Sequence, residues 1–203
     1  ITQSETVKMI KQDTKEMILA AGHSLIIEKS YNGCGLKEIL DTAGVPKGSF
    51  YHYFKSKEDF GMALIERASD ENSEFMRDIF RDRKFTPLTR IKNFFARIQQ
   101  YHDEEGIDCQ CLIPKLALEQ SKLSETMRGA LKCSQDSMNA QMAQVITQAQ
   151  AENELADNIH PQRMAGFLFS ASHGASIQMQ VENSAQPYND FVEIVFQNLL
   201  IKP

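Results

Sequence analysis

Apolar residues recur along this chain every three or four positions and do not alternate over the length of a strand. The pattern therefore reads as helix throughout. Its most informative run is short. Leu36, Ile39, Leu40 and Ala43 share one face of a helix of about two turns. Gly44 suits a left-handed stop, and Pro46 presets φ for a new helix from Lys47 to about Tyr53. At about 100° per residue, Lys47, Gly48, Tyr51 and His52 fall on one arc, while Phe50 and Tyr53 lean the other way. One side anchors the helix. The other offers a cation, a gap where a backbone can approach, a phenol and an imidazole. This is the layout of a helix-turn-helix whose second helix enters a DNA major groove.

The remaining periodicity predicts seven more helices. Asp13 or Thr14 opens one that ends near Lys29, with Met17, Ile18, Ala21, Leu25 and Ile26 as its buried stripe. Residues 1–12 show no clear period and read as a frayed arm. Tyr31 closes the first helix onto the next, and Asn32 to Gly35 form a loop. Ser56 with Asp59 three residues on is a capping-box start for a long helix to about Arg81. Pro87 opens the next, with Ile91, Phe94, Phe95, Ile98 and Tyr101 turned inward. A shorter element runs from Cys109 to about Gln120, interrupted at Pro114, and a helix capped at Ser121 or Ser124 continues to about Asn153. Pro161 and Pro187 start the last two. The expectation is an all-α protein: a three-helix head at residues 1–56, and a helical second domain at 57–203.

Composition adds limits. At 203 residues, 42% hydrophobic and 24% charged, the chain has the make-up of a soluble globular protein with a real core. No apolar run approaches the roughly 20 residues needed to cross a bilayer, and no basic-then-apolar leader is visible. Four cysteines without a framework spacing read as reduced thiols. The expected setting is cytoplasmic, with no membrane partner. Net charge is −5, which disfavours nucleic acid until it is located. Residues 1–60 hold eight Lys and eight Asp or Glu; residues 61–203 hold 14 Lys plus Arg against 19 Asp plus Glu. The acidity lies in the second part, and Lys47, Lys55 and Lys57 give the helix-turn-helix a local positive excess.

The run Gly44-Val45-Pro46-Lys47-Gly48-Ser49-Phe50-Tyr51-His52-Tyr53-Phe54-Lys55-Ser56-Lys57-Glu58 resembles the signature of the TetR family of bacterial transcriptional repressors. The resemblance implies that Lys47, Gly48 and Tyr51 approach base edges, while Ser49, His52 and Lys57 hold phosphates. Such side chains suit those roles, since lysine donates to guanine O6 and N7, and hydroxyl, imidazole and ammonium groups donate to phosphate oxygens. Family members often carry Gly before the aromatic and Thr at the start of the motif's first helix; Ser30 and Gly35 stand there instead. The resemblance further implies a homodimer on a pseudo-palindromic double-stranded operator, with heads about 34–36 Å apart. The last two helices are expected to dimerise, through small residues (Ala171, Gly174, Ala175) and through Phe191, Val195 and Leu199. In this fold the second domain hosts an effector cavity, for which Phe94, Tyr101, Met127 and Phe167 are candidates, though such residues are more often core.

Cys111-Leu112, Lys115-Leu116-Ala117-Leu118-Glu119 and Leu123-Ser124-Glu125-Thr126-Met127-Arg128 resemble the electrophile- and redox-responsive branch of that family, related to the N-ethylmaleimide reductase regulator. Cys111 matches the branch's cysteine, and Cys109 is the natural second thiol. A disulfide between positions so close makes a strained ring, and a lone Cys-x-Cys lacks the spacing of a zinc site. Cys34 and Cys133 read as incidental, and His173 as an interior or interface histidine. No nucleophile elbow, phosphate loop or metal motif is visible, so neither enzyme activity nor a cofactor or metal is expected. The effector remains one of two kinds. Either a reactive electrophile or oxidant modifies Cys111 and the long helix from Lys57 carries the shift, or a small molecule binds reversibly with passive cysteines. The sequence is compatible with a repressor and with an activator.

Overall fold

A computed structural model of the chain describes residues 3–106, 111–158 and 160–200. Among them all regular structure is helical: α1 Gln3–Lys29, α2 Leu36–Ala43, α3 Lys47–Tyr53, α4 Lys57–Phe80, α5 Pro87–Glu105, α6 Leu112–Gln120, α7 Glu125–Ala151, α8 Pro161–Glu182 and α9 Gln186–Ile194, which passes into a π-helical stretch, Val195–Leu199. No described helix is long and apolar enough to cross a membrane.

Local chemistry accounts for the boundaries. Gly44 ends α2 at φ 68°, a left-handed conformation that glycine adopts without penalty. Ser56 caps α4 by accepting from the Asp59 N–H at 3.0 Å, while the Asp59 carboxylate accepts from the Lys55 N–H at 2.8 Å. Thr86 caps α5, and Ser124 accepts from the Met127 N–H at 3.0 Å to start α7. Two expectations fail. α1 begins at Gln3 rather than near Asp13, because no Gly or Pro interrupts the chain before Gly22 and extending a formed helix costs little. Pro114 does not interrupt α6, since it is the third helical residue, where no intrahelical N–H bond is lost.

The chain divides into two compact units that do not follow a single cut: Ile1–Ser69 with Cys111–Ser134, and Asp70–Gln110 with Gln135–Pro203. In the first unit Ile18, Leu25, Ile26, Ile39, Leu40, Phe50, Phe54, Phe60 and Leu64 are buried together with Leu112 and Leu116 of α6 and Met127 of α7. Met17, expected in the buried stripe, is 43% exposed, and Leu19 is buried instead. The reason is the close approach of α1 to Phe60: a Cβ at Gly22 would stand 2.2 Å from the ring. The stripe centres on Gly22, and Met17 lies about 140° around the helix from it.

The second unit is built on an aromatic cluster. Phe94 and Phe95 lie 5.0 Å apart, Phe95 meets Phe191 at 5.2 Å, and Phe94 meets Phe80 at 5.5 Å and Phe169 at 5.9 Å. Truncating such a buried ring costs about 3–5 kcal/mol. The buried guanidinium of Arg90 donates to the Phe80 carbonyl at the end of α4 and, at 2.9 Å, to Gln148 Oε1 on α7.

Candidate nucleic-acid interface

The recognition-helix candidate is held from behind by its aromatics. Phe50 is fully buried, with Phe54 and Phe60 at 5.2 and 5.7 Å. Its outer arc is exposed at Lys47, Gly48, Tyr51 and His52, and Ser49 is half-buried. Tyr51 is 62% exposed, a fraction that solvation alone does not explain for a large aromatic beside a lysine. Nothing lies within 4 Å of the place a Gly48 Cβ would occupy, so the backbone there is bare. Gly35 caps α2 without a side-chain hydrogen bond, in keeping with the missing threonine.

Lys57 has a different setting from the other five candidates. It is half-buried, its ammonium donates to the Cys34 carbonyl at 2.6 Å, and it lies 4.8 Å over the Tyr31 ring. Tyr31 in turn donates its phenol proton to the Lys57 carbonyl at 2.6 Å. Burial, with the nearby Glu58 charge adding to it, pushes the Tyr31 phenol up to about 12, so it stays a donor. Lys57 thus clamps the loop before the motif, with two ammonium protons left over. This use was not legible in the sequence, because its partners lie 23 and 26 residues away.

Cys111 is exposed at the N-cap of α6. Cys109 lies outside the described residues. Cys34 is buried, and burial raises its thiol pKa; Cys133 is exposed on α7. Cys34, Cys111 and Cys133 are in no disulfide.

The four proposed pocket residues do not share one lining. Phe94 is inside the second unit's aromatic core, and Met127 is inside the first unit's. Tyr101, expected inward, is 52% exposed, although it lies only about 20° around α5 from the buried Phe94; at that level of the helix His102 is the residue that turns inward. Phe167 is exposed and lines a groove of about 620 Å³ between α8 and α9, with Ala171, Phe191 and Ile194 also on its walls. Phe191 and Val195 were expected to supply dimer area, but both are buried in their own unit's core. The side chain of Leu199 is outside the described residues. Instead α8 exposes Phe167, Ser170, Gly174, Ile177 and Val181, spaced as alternate threes and fours along one seam.

The interior of this unit also holds polar groups. His102 of α5 is buried, with Nε2 3.3 Å from the Ser176 hydroxyl of α8, its ring against Tyr188 of α9 at 5.2 Å, and Nδ1 lacking a hydrogen-bond partner. The Tyr188 hydroxyl meets Ser172 at 3.2 Å. Burial lowers the pKa of His102 and of the half-buried His173.

Comparison with known proteins accords with this geometry. Residues 18–63 match the model for bacterial regulatory proteins of the tetR family, and residues 87–195 match that of the tetracyclin repressor-like C-terminal domain. The HTH-type transcriptional repressor NemR of Escherichia coli strain K12 is 31% identical, over 97% of this chain and 98% of its own. The HTH-type transcriptional repressor DhaR of a Mycobacterium species, strain GP1, is 28% identical over 95% of each chain. The crystal structure of E. coli NemR in its reduced form superposes with a TM-score of 0.87 at 32% identity, covering 94% of this chain and 98% of that one.

Proposed function

Because this chain belongs to the tetR family of bacterial regulatory proteins, we propose that it is a transcriptional repressor, binding a pseudo-palindromic operator as a homodimer and released by modification of Cys111. The observation that carries the DNA reading is the arc of α3. A fully buried Phe50 fixes the helix, and the exposed Lys47, Gly48, Tyr51 and His52 face away from it. Lys47 and Tyr51 reach base edges, and the bare backbone at Gly48 lets the helix approach closely. Ser49, His52 and the remaining protons of Lys57 hold phosphates. The seam on α8 supplies the dimer contact, and two-fold symmetry then requires a two-fold operator.

The release reading rests on the setting of Cys111. It is exposed, at the N-terminus of α6, where the helix's N–H groups favour negative charge. Similarity to NemR and DhaR, both named repressors, supports repression over activation. Selection of bound fragments from a random DNA pool is expected to enrich a palindrome; a pool without an enriched site would argue for non-specific binding. On the selected fragment, N-ethylmaleimide is expected to weaken binding of the protein by ~5–150-fold, and Cys111→Ser to abolish that response. A Cys111→Ser protein that still leaves the fragment on alkylation, with variants at Cys34, Cys109 and Cys133 behaving the same way, would remove Cys111 as the sensor, and full release of a variant lacking all four cysteines would point to a reversibly bound effector.

A further inference from the structure

The loop that launches the helix-turn-helix is gripped from outside the motif. Ser30 leaves α1 at φ 88°, with its hydroxyl accepting from the Gly33 N–H at 3.0 Å. Gly33 has no room for a side chain, since a Cβ would stand 2.4 Å from the Lys29 carbonyl oxygen. Next to this turn, the Tyr31 N–H, beyond the last hydrogen bond of α1, donates to Glu119 Oε2 at 2.8 Å. The adjoining residue does the same kind of work: the Gln120 amide, 4% exposed, donates to Asn32 Oδ1 at 3.2 Å. Glu119 and Gln120 are the last two residues of α6. A carboxylate accepting a main-chain N–H makes a charge-assisted bond, stronger than a neutral one.

We propose that Glu119 is the positioning residue of the DNA-reading helix. Its carboxylate fixes the loop from which α2 and α3 depart, and α6 becomes a rigid handle on the recognition helix. The Glu of the Lys-Leu-x-x-Glu run thereby has a role. Cys111 stands eight residues before Glu119 on the same helix, about 12 Å along its axis. A displacement at the thiol end reaches the loop through α6 alone, without passing along α4. This part rests on the sensing role proposed for Cys111; the grip itself does not.

The test uses full-length Glu119→Ala and Glu119→Gln proteins, with fluorescence anisotropy on the selected fragment and hydrogen–deuterium exchange. Glu119→Ala is expected to bind the fragment roughly 10-fold more weakly, because the binding-competent arrangement is less populated. Its amides at 31–43 should exchange faster while those of α5, α8 and α9 stay as in the parent. Glu119→Gln keeps an oxygen that accepts from the Tyr31 N–H and should stay within about 2-fold. Unchanged exchange at 31–43 in Glu119→Ala overturns the proposal, as does exchange raised equally everywhere, or equal loss in the two variants. If N-ethylmaleimide modifies the parent yet leaves its affinity and exchange unaltered, the sensing role of Cys111 fails while the grip is judged on the Glu119 variants. Binding to no fragment would sink the DNA reading, and exchange would still decide the grip.

Discussion

A methyl group placed at Gly48 meets nothing in the protein, and alanine is favoured over glycine inside a helix by about 1 kcal/mol. Gly48→Ala is therefore expected to raise the melting temperature while weakening operator binding, because the methyl stands where DNA backbone or bases approach. Thermal unfolding and anisotropy measured on the same preparation check it; a stabilised variant with intact affinity would show that this arc does not face DNA. At this scale much of the site was legible. Phe50 at 0% and Tyr51 at 62% exposure are the two sides that helical angles separate. Lys57 and Ser30 were not legible in the same way. The lysine's carbonyl partner and the serine's positive φ depend on how the loop folds back, and local periodicity carries no trace of either.

At the scale of elements, His102 joins α5 to α8 and α9 through Ser176 and Tyr188. Burial holds its folded pKa below the ordinary value, against the opposing pull of Asp103. Between the unfolded value near 6.5 and that lower folded value, the unfolded chain binds a proton that the folded one refuses. Stability is thus complete above about pH 6.5 and declines on acidification below it, levelling once the folded state also protonates. His173 contributes with the same sign, so His102→Gln should flatten the decline only in part. Urea unfolding at pH 7.5 and 5.5 measures this, and an identical decline in parent and variant would remove His102 from the explanation. Helix boundaries followed from local signals such as Ser56, Pro87 and Ser124, which act within three residues. Inward and outward faces were harder. Met17 and Met127 each satisfy a helical period, but Met127 is buried against Gly61 of α4, while the close approach of Phe60 at Gly22 leaves Met17 on the exposed side of α1.

For the whole molecule, the exposed seam of Phe167, Gly174, Ile177 and Val181 on α8 is the face assigned to the proposed dimer contact. Val181 is 74% exposed, so Val181→Arg should leave the fold intact while moving the protein toward monomer and lowering operator affinity. Sedimentation equilibrium reads the first effect; a variant that remains dimeric would place the interface elsewhere. The all-α architecture was legible because helical period runs through nearly every segment, but the return of residues 111–134 to the first unit was not, since such pairing is set by packing across long separations. That return limits how the protein can be re-engineered. A chimera made by grafting residues 1–56 onto another regulator's effector module would import a stranger's α6, and the Tyr31 N–H would depend on whatever residue the host supplies at the Glu119 position. Faithful transplantation of DNA specificity has to move two pieces of chain, 1–69 and 111–134, as one cassette.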